Sequence, residues 1–529
     1  MNFRKDRAIW GPIMRSIKIL ALSTVMLPWA GTAFAQSCDQ LESFRYDGHD
    51  VTIESMQHVE AGALPPGPGG PGGAFPAHCR VEGVVDTRTG VGGKTYGTRF
   101  ALALPEDWNG RFLFQGGGGL NGSVGARNGA AASGGQSALS RGFAVISTDT
   151  GHQAAGGFDA SFMEDQQAAL DFYYASNGKM APIAKAMVAA HYGRPADYSY
   201  YVGCSTGGRE GMIMSQRFPL YFDGIVSGAP AMRTGHSNMS LAYINAAFSE
   251  YAPAGEDGQA SPADLLSDTD RKLIVDSLIA ACDADDGAED GMIFNTQSCS
   301  FAPSDLQCSA EKTDSCLSEN QVMALEKAFR GPVDSRGVQA YPAFPWDPGL
   351  NASGGSLPGI LQSGGSSPVQ AQQTSGGFDV DRAAAELEAD AFNTIGDSLS
   401  PDLSSFREAG SKLIFYHGMA DPWFSANDTR LYYESLAETS SGADAVRDFS
   451  RLYLVPGMGH CQGGSATLDS FDMVSAIVGW VENGDAPEGI VSTGTAFPGR
   501  SRPLCPYPEF ADYTGGDPET ADSFMCRAP

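Results

Sequence analysis

Three short stretches carry residue types that together can perform acyl transfer. Gly203-Cys204-Ser205-Thr206-Gly207 sets a serine between two glycines, after the aromatic and β-branched run 198–202 and before a stretch, 208–218, with the composition of a helix. A serine on such a strand–turn–helix corner sits on a strained turn that lifts its hydroxyl clear of the backbone. The free N–H groups and positive end of the following helix point to the same spot. Further on, the apolar run KLIFYHG (412–418) leads into Met419-Ala420-Asp421-Pro422-Trp423-Phe424, and RLYLVPG (451–457) leads into Met458-Gly459-His460-Cys461. An acid and a histidine, each just past the end of a strand, complete the order Ser, Asp, His. In that arrangement His460 takes the proton of Ser205, and Asp421 fixes the imidazole tautomer and stabilises its charged form.

This chain order is that of α/β-hydrolases. The alternatives for each role are weaker. Asp428 is near enough to rival Asp421 but falls deeper in a helical stretch, and His417, at a strand end, reads as a pocket-lining or structural residue. His152 precedes the serine, which is the wrong order for the base, and reads as a structural hydrogen-bonding histidine. Stabilising the developing oxyanion calls for two backbone N–H groups. The first is that of Thr206, directly after the nucleophile. The second is expected from the loop RFLFQGGGGLNG (111–122), whose four consecutive glycines lose much entropy on ordering and so need a reason. A merely flexible turn is the competing reading of that loop.

The elements that must position these groups alternate. Strands are predicted at 143–148, 198–204, 224–228, 412–418 and 451–457, with helical periodicity at 164–191 and after the serine. This is the signature of an α/β fold, a mostly parallel sheet covered by helices. From about Ala231 the alternation stops. Helices are expected at 271–281, 319–330 and 381–392, separated by Gly-, Ser-, Pro- and Gln-rich stretches, notably 351–377. The predicted organisation is a hydrolase core in two parts, 36–231 and 406–529, with an inserted lid domain over 232–405. A Pro/Gly-rich stretch at 60–75 reads as a surface loop in a β-rich N-terminal section.

Residues 1–35 have the form of a secretory signal: Arg4, Lys5, Arg7, Arg15 and Lys18, a short apolar run from Ile19 to Trp29, and Ala33-Phe34-Ala35 for cleavage. A secreted or periplasmic location follows. Cleavage removes five basic residues and one acidic one, which takes the net charge from −28 to −32. A chain this acidic repels nucleic acid and anionic membranes. The ten cysteines, an even number in an exported chain, argue for disulfides. Spacing suggests the local pairs Cys38 with Cys79, Cys282 with Cys299, Cys308 with Cys316 and Cys505 with Cys526. Cys204 and Cys461 are left over, either paired across a very long loop or free. Residues 282–292, CDADDGAEDGM, place acidic residues at short intervals around glycines, as a loop around Ca²⁺ requires, although the twelve-residue EF-hand pattern lacks its final Glu.

GCSTGGREGM, HGMADPWFS and LVPGMGHCQGG resemble the serine, acid and histidine motifs of the tannase/feruloyl esterase family, and the resemblance runs from about Cys38 to Cys526. It implies an α/β-hydrolase with a lid, esterase activity, a disulfide Cys204–Cys461, and oxyanion donors at Gly119 and Thr206. It also implies Ca²⁺ in the lid on Asp283, Asp286 and Asp290 with the carbonyls of Ala288 and Met292. Blocks 198–230, 412–430 and 500–508 are similar to the mono(2-hydroxyethyl) terephthalate hydrolases within the family, which grip the substrate carboxylate with a lid arginine. Here no Arg or Lys occurs between Arg336 and Arg382, and VQAQQTSGGF (369–378) offers Gln372 and Gln373 where that arginine would align. Glutamine cannot supply the planar two-pronged grip. The expected substrate is thus a small ester of an aromatic acid of feruloyl or galloyl type, the terephthalate monoester being the alternative. Trp423 and Phe424 would stack on its ring, with His417, Phe378 and Trp346 as further candidates for the pocket.

Overall fold

The computed structural model describes residues 38–64, 73–125, 128, 129, 133–255, 258, 260–353, 357–367 and 378–529. The predicted signal, part of the Pro/Gly-rich stretch, and Gln372 and Gln373 lie outside the described residues.

The main sheet has nine strands: β1 (Val51–Val59), β2 (His78–Thr89), β3 (Thr95–Pro105), β4 (Arg111–Gln115), β5 (Ala144–Thr148), β6 (Tyr198–Cys204), β7 (Gly224–Gly228), β8 (Lys412–Gly418) and β9 (Ser450–Val455). Their order across the sheet is β1-β2-β3-β5-β4-β6-β7-β8-β9. The first three pairings are antiparallel and the remaining five parallel. Side chains alternate between two apolar layers, as strand geometry requires. Phe112, Phe114, Tyr201, Ile225 and Phe415 meet Met180, Ile183 and Met187 of the helix Ser176–Tyr192 on one face. Leu113, Tyr200, Val202, Val226 and Ile414 meet Val474, Ile477 and Trp480 of the helix Met473–Asn483 on the other. Both faces being covered, the central strands read as continuous apolar runs.

β4 has β5 on one side and β6 on the other, so the connections diverge there. In open α/β sheets a crevice forms at the C-terminal strand ends beside such a switch point. The four-glycine loop leaves β4, Ser205 follows β6, Asp421 follows β8 and His460 follows β9. The sheet topology therefore gathers at one edge residues that lie more than 300 positions apart in the chain.

Between β7 and β8 the described residues add no strand to the main sheet. They form helices, including Thr234–Tyr251, Asp268–Cys282, Glu319–Arg330, Val380–Ala389 and Ala391–Gly396. Glu319–Arg330 begins at a capping box of Ser318 and Gln321. These helices share an apolar cluster with Phe248, Leu325, Tyr341 and Leu350, and Trp423 and Phe424 belong to it. Lid and acid loop therefore pack as one body within the compact unit 36–529.

Two helical expectations differ in detail. The predicted helix 164–191 contains a π-helical turn at Asp171–Ala175 between Gln166–Leu170 and Ser176–Tyr192. The predicted helix 381–392 is two, because Asp390 ends the first and its carboxylate caps the N-terminus of the second by accepting from the Phe392 N–H at 2.8 Å.

Candidate active site

Ser205 stands at φ 63°, ψ −122°, a backbone conformation that a side-chain-bearing residue adopts only under strain. Its neighbours show why the turn needs glycine. A Cβ on Gly203 would lie 2.5 Å from the Gly207 carbonyl, and one on Gly207 would lie 2.7 Å from the Gly117 carbonyl. The Ser205 N–H donates to the Gly228 carbonyl at 3.0 Å and its own carbonyl accepts from Arg209 and Ala231, which pins the corner to β7 and to the helix Thr206–Arg217.

His460 Nδ1 bonds Asp421 Oδ2 at 2.7 Å. An ionised carboxylate only accepts, so Nδ1 carries the proton and Nε2 is left with its lone pair, the tautomer a general base requires. Asp421 is fully buried. Its Oδ1 accepts from the backbone N–H groups of Trp423 and Phe424 at 2.8 and 3.1 Å, and its Oδ2 is shared with His417 Nε2 at 3.2 Å. Burial alone would push this carboxyl up, but the two histidines outweigh it and hold it well below the usual carboxylate range. Cys204 and Cys461, the immediate neighbours of Ser205 and His460, are joined in a disulfide with a Cα–Cα distance of 6.0 Å. The serine and histidine loops are thereby clamped together. The other four cysteine pairs are those that spacing suggested.

The glycine loop after β4 lies against the helix Thr206–Arg217. The Gly207 N–H donates to the Gly117 carbonyl at 3.1 Å, and Thr206 Oγ1 donates to the Gly119 carbonyl. Glu210 braces the loop from behind. It accepts from the Gly117 N–H at 3.1 Å, Asn121 Nδ2 at 2.9 Å and Tyr201 Oη at 2.7 Å. Gly119, Thr206, Ser205, Trp423 and Phe424 line one cavity of about 340 Å³, whose wall continues over Tyr173, Asn238 and Asp397. The Trp423 and Phe424 rings stack at 4.9 Å and lie 5.7 and 5.4 Å from the His460 ring, so an apolar, aromatic wall flanks His460. The lid holds this wall in place: Asn238 accepts from Trp423 Nε1 at 3.0 Å, and Ser237 donates to the Trp423 carbonyl.

The family model described as tannase and feruloyl esterase matches residues 79–375 and 364–527. The chain belongs to this family. It is 40% identical over 523 residues to the mono(2-hydroxyethyl) terephthalate hydrolase of Piscinibacter sakaiensis, the match covering 86% of each protein. It is 29% identical over 555 residues to a probable feruloyl esterase of Arthroderma benhamiae, covering 96% of this chain and 97% of that one. Among solved structures it is similar to feruloyl esterase B from Aspergillus oryzae, with a TM-score of 0.72, 25% identity and coverage of 93% and 100%. The protein is a carboxylic ester hydrolase with an α/β-hydrolase core and a lid.

Several expected pocket residues of this tannase/feruloyl esterase family member lie elsewhere. His417 does not line the cavity. It is buried behind the acid, with Nδ1 on Thr429 Oγ1 at 2.7 Å and Nε2 shared between Asp421 and the Phe424 carbonyl. Phe378 is outside the cavity wall and meets Tyr243 edge-on at 6.1 Å, as part of the lid's own packing. Trp346 stacks on Phe329 at 3.8 Å, also within the lid. His152 is structural, but through packing. It is buried and stacked on Phe162 at 3.7 Å, burial lowers its pKa to about 4 with the nearby backbone of Leu120 and Thr150 offsetting part of this, and among the described residues neither ring nitrogen has a well-aligned hydrogen-bond partner. Asp428 forms an ion pair with Arg233, which removes it as the acid. Arg382 is two-thirds exposed, 3.9 Å from Glu386, and does not line the cavity.

In the acidic loop Asp283 accepts from the N–H groups of Gly291 and Met292, and Asp286 from those of Ala288 and Phe294. Asp290 pairs with Arg502. Burial pushes the Asp286 carboxyl up to about 7, its backbone donors offset part of this, and the charges of Asp290 and Asp283 add to it. Among the described residues Asp286 has no basic partner, and no three His, Cys, Asp or Glu side chains gather at metal-holding spacing. The loop's charge and burial fit a hard cation, provided that backbone carbonyls complete the shell.

Proposed function

We propose that this esterase cleaves esters of aromatic carboxylic acids through an acyl-enzyme on Ser205. His460 Nε2 takes the Ser205 proton as Oγ adds to the ester carbonyl, then returns it to the departing alcohol. Water, deprotonated by the same nitrogen, releases the acid. Asp421 holds the Nδ1 proton in place and stabilises the imidazolium. The N–H groups of Gly119 and Thr206 receive the oxyanion.

The observation that carries this reading is a single cavity that holds Ser205, both proposed oxyanion residues and the Trp423–Phe424 wall, with the Asp421–His460 pair clamped to the serine loop by Cys204–Cys461. The aromatic wall supports a flat acyl group, and feruloyl or galloyl esters are the preferred class. Mono(2-hydroxyethyl) terephthalate is the second reading. The relative at 40% identity favours it, while the position of Arg382 speaks against a lid-arginine grip from that residue.

Asp283, Asp286 and Asp290, with the carbonyls of Ala288 and Met292, would hold Ca²⁺. A bound ion would offset the charge of Asp286, which has no basic partner among the described residues, and tie the loop together, a structural role. The five disulfides support export to an oxidising compartment, secreted or periplasmic, after removal of residues 1–35.

The test is hydrolysis of methyl ferulate, methyl gallate and mono(2-hydroxyethyl) terephthalate by the mature protein beside Ser205→Ala. Turnover of at least one ester, lost by a factor of about 10⁴ or more in the variant, is expected. Equal turnover by both proteins would overturn the reading.

A further inference from the structure

Asp397 is a carboxylate that the fold does not explain. It follows the short helix Ala391–Gly396 at its C-cap, the end at which the backbone dipole disfavours negative charge. Its side chain is only 17% exposed, and among the described residues no donor hydrogen-bonds to either of its oxygens. The nearest basic atom is His236 Nδ1 at 3.5 Å. Arg233, the next cation, is engaged by Asp428. Burial therefore pushes the Asp397 carboxyl up to about 7, with Arg233 and Arg209 offsetting part of the rise and Asp428 adding to it. The side chain is half-buried in the cavity wall, so its oxygens stay open to a donor that a ligand brings.

What Asp397 faces is the cavity that contains Ser205. The other charged groups on that wall are already engaged. Asp390 accepts from the Phe392 N–H, and the Arg209 guanidinium donates to the carbonyls of Phe172 and Tyr173 from the π-helical turn, at 3.3 and 3.0 Å. Among the described residues the wall thus presents a carboxylate, Asp397, that no protein donor bonds, beside the charges of Asp390 and Arg209. Its single arginine has two of its nitrogens committed to backbone.

We propose that Asp397 determines the acyl specificity of the esterase by accepting a hydrogen bond from the ring hydroxyl of a phenolic acyl group, and that it rejects an acyl group bearing a carboxylate in the same place. The proposal rests on the Ser205 reading and refines it. A phenol O–H supplies the donor that Asp397 lacks, in a short charge-assisted bond. A carboxylate brought to the same wall would meet Asp397 and Asp390, while Arg209, the cation lining it, already directs two nitrogens at backbone carbonyls, so like-charge repulsion disfavours it.

The substrate-side test needs no variant. Methyl ferulate is compared with methyl 3-methoxycinnamate, which lacks only the ring hydroxyl and adds no bulk. A hydrogen bond to a charged group predicts a kcat/KM ratio of about 10–100 in favour of ferulate. In Asp397→Ala the ratio is expected to fall within threefold of one, while the terephthalate monoester gains about tenfold relative to ferulate. A wild-type ratio within threefold of one overturns the proposal, as does a ratio that survives in folded, active Asp397→Ala. If that variant does not fold, the wild-type ratio decides alone. Loss of all Ser205-dependent hydrolysis would instead sink the acyl-enzyme reading beneath it, and the Ser205→Ala control separates that failure from a failure of Asp397.

Discussion

Breaking the Cys204–Cys461 bond separates two contributions that other disulfides do not combine. The bond spans 257 residues, and in the chain-entropy model such a closure raises the free energy of the denatured chain by roughly 5.5 kcal/mol. The corresponding figure for Cys505–Cys526, which spans 21 residues, is roughly 3 kcal/mol. The shorter crosslinks inside the long loop, 282–299 and 308–316, change its effective length too little to matter, because the dependence is logarithmic. Both double serine variants should therefore lower Tm, Cys204→Ser/Cys461→Ser the more. Only the first frees the backbone beside Ser205 and His460. A shift of about 1 Å between nucleophile and base is enough to cost on the order of 10²-fold in rate. At 25 °C, with folding verified by near-ultraviolet circular dichroism, kcat on methyl ferulate should drop about 10–100-fold in Cys204→Ser/Cys461→Ser and stay within twofold in Cys505→Ser/Cys526→Ser. A folded Cys204→Ser/Cys461→Ser protein with wild-type kcat would refute the claim that the clamp positions the catalytic pair.

Glu210→Gln removes the charge that braces the glycine loop and leaves one of its three donors without a good acceptor. It should cut kcat about tenfold or more while KM changes less than threefold, and steady-state kinetics would show the reasoning to be wrong if kcat were unaltered. Asp149 is buried and its carboxyl is raised to about 7, since desolvation outweighs the donors Gly151, Gln153 and Arg99. Its folded pKa stands above the unfolded one, so the folded state holds the extra proton between about pH 4 and 7 and wild-type stability declines as pH rises through that window. Asp149→Asn, which keeps an oxygen for the two backbone donors, should gain on wild type by about 1–3 kcal/mol between pH 5 and pH 8 in urea titrations. No change in the gap would contradict this. Chelation of Ca²⁺ should cost about 1–3 kcal/mol, which at this chain length lowers Tm by about 1–3 °C, without altering kcat while the protein stays folded. Asp286→Asn should abolish that dependence, and a chelator-insensitive wild type would remove the ion from the account.

The parts of the site that were legible in the sequence are those whose signal is local. Ser205, Asp421 and His460 each follow a strand whose apolar run is short and bounded, and the glycines of the elbow are required by contacts within a few residues. The helix Glu319–Arg330 announces itself through Ser318 and Gln321. What escaped depends on contacts across the chain. Glu210 sits five residues after Ser205, yet its partners Gly117 and Asn121 are about 90 positions upstream, and nothing in a helical REGM stretch points back to them. His417 read as a pocket residue because it ends a strand next to Asp421. Its partner Thr429, on the following helix, holds the ring in the core instead. The π-helical turn at Asp171–Ala175 has an ordinary helical composition, and Asp397 looks like any loop acid until the cavity is seen.

The central claim is that Ser205 is made nucleophilic by the His460–Asp421 pair. The direct measurement is covalent trapping: the mature protein is treated with a p-nitrophenyl phosphonate, and the adduct is located by intact-mass and peptide-mass analysis alongside His460→Ala. A single adduct on Ser205 is expected, forming on the order of 10³-fold or more slowly without His460. An adduct elsewhere, or one that forms at the same rate in His460→Ala, would contradict it.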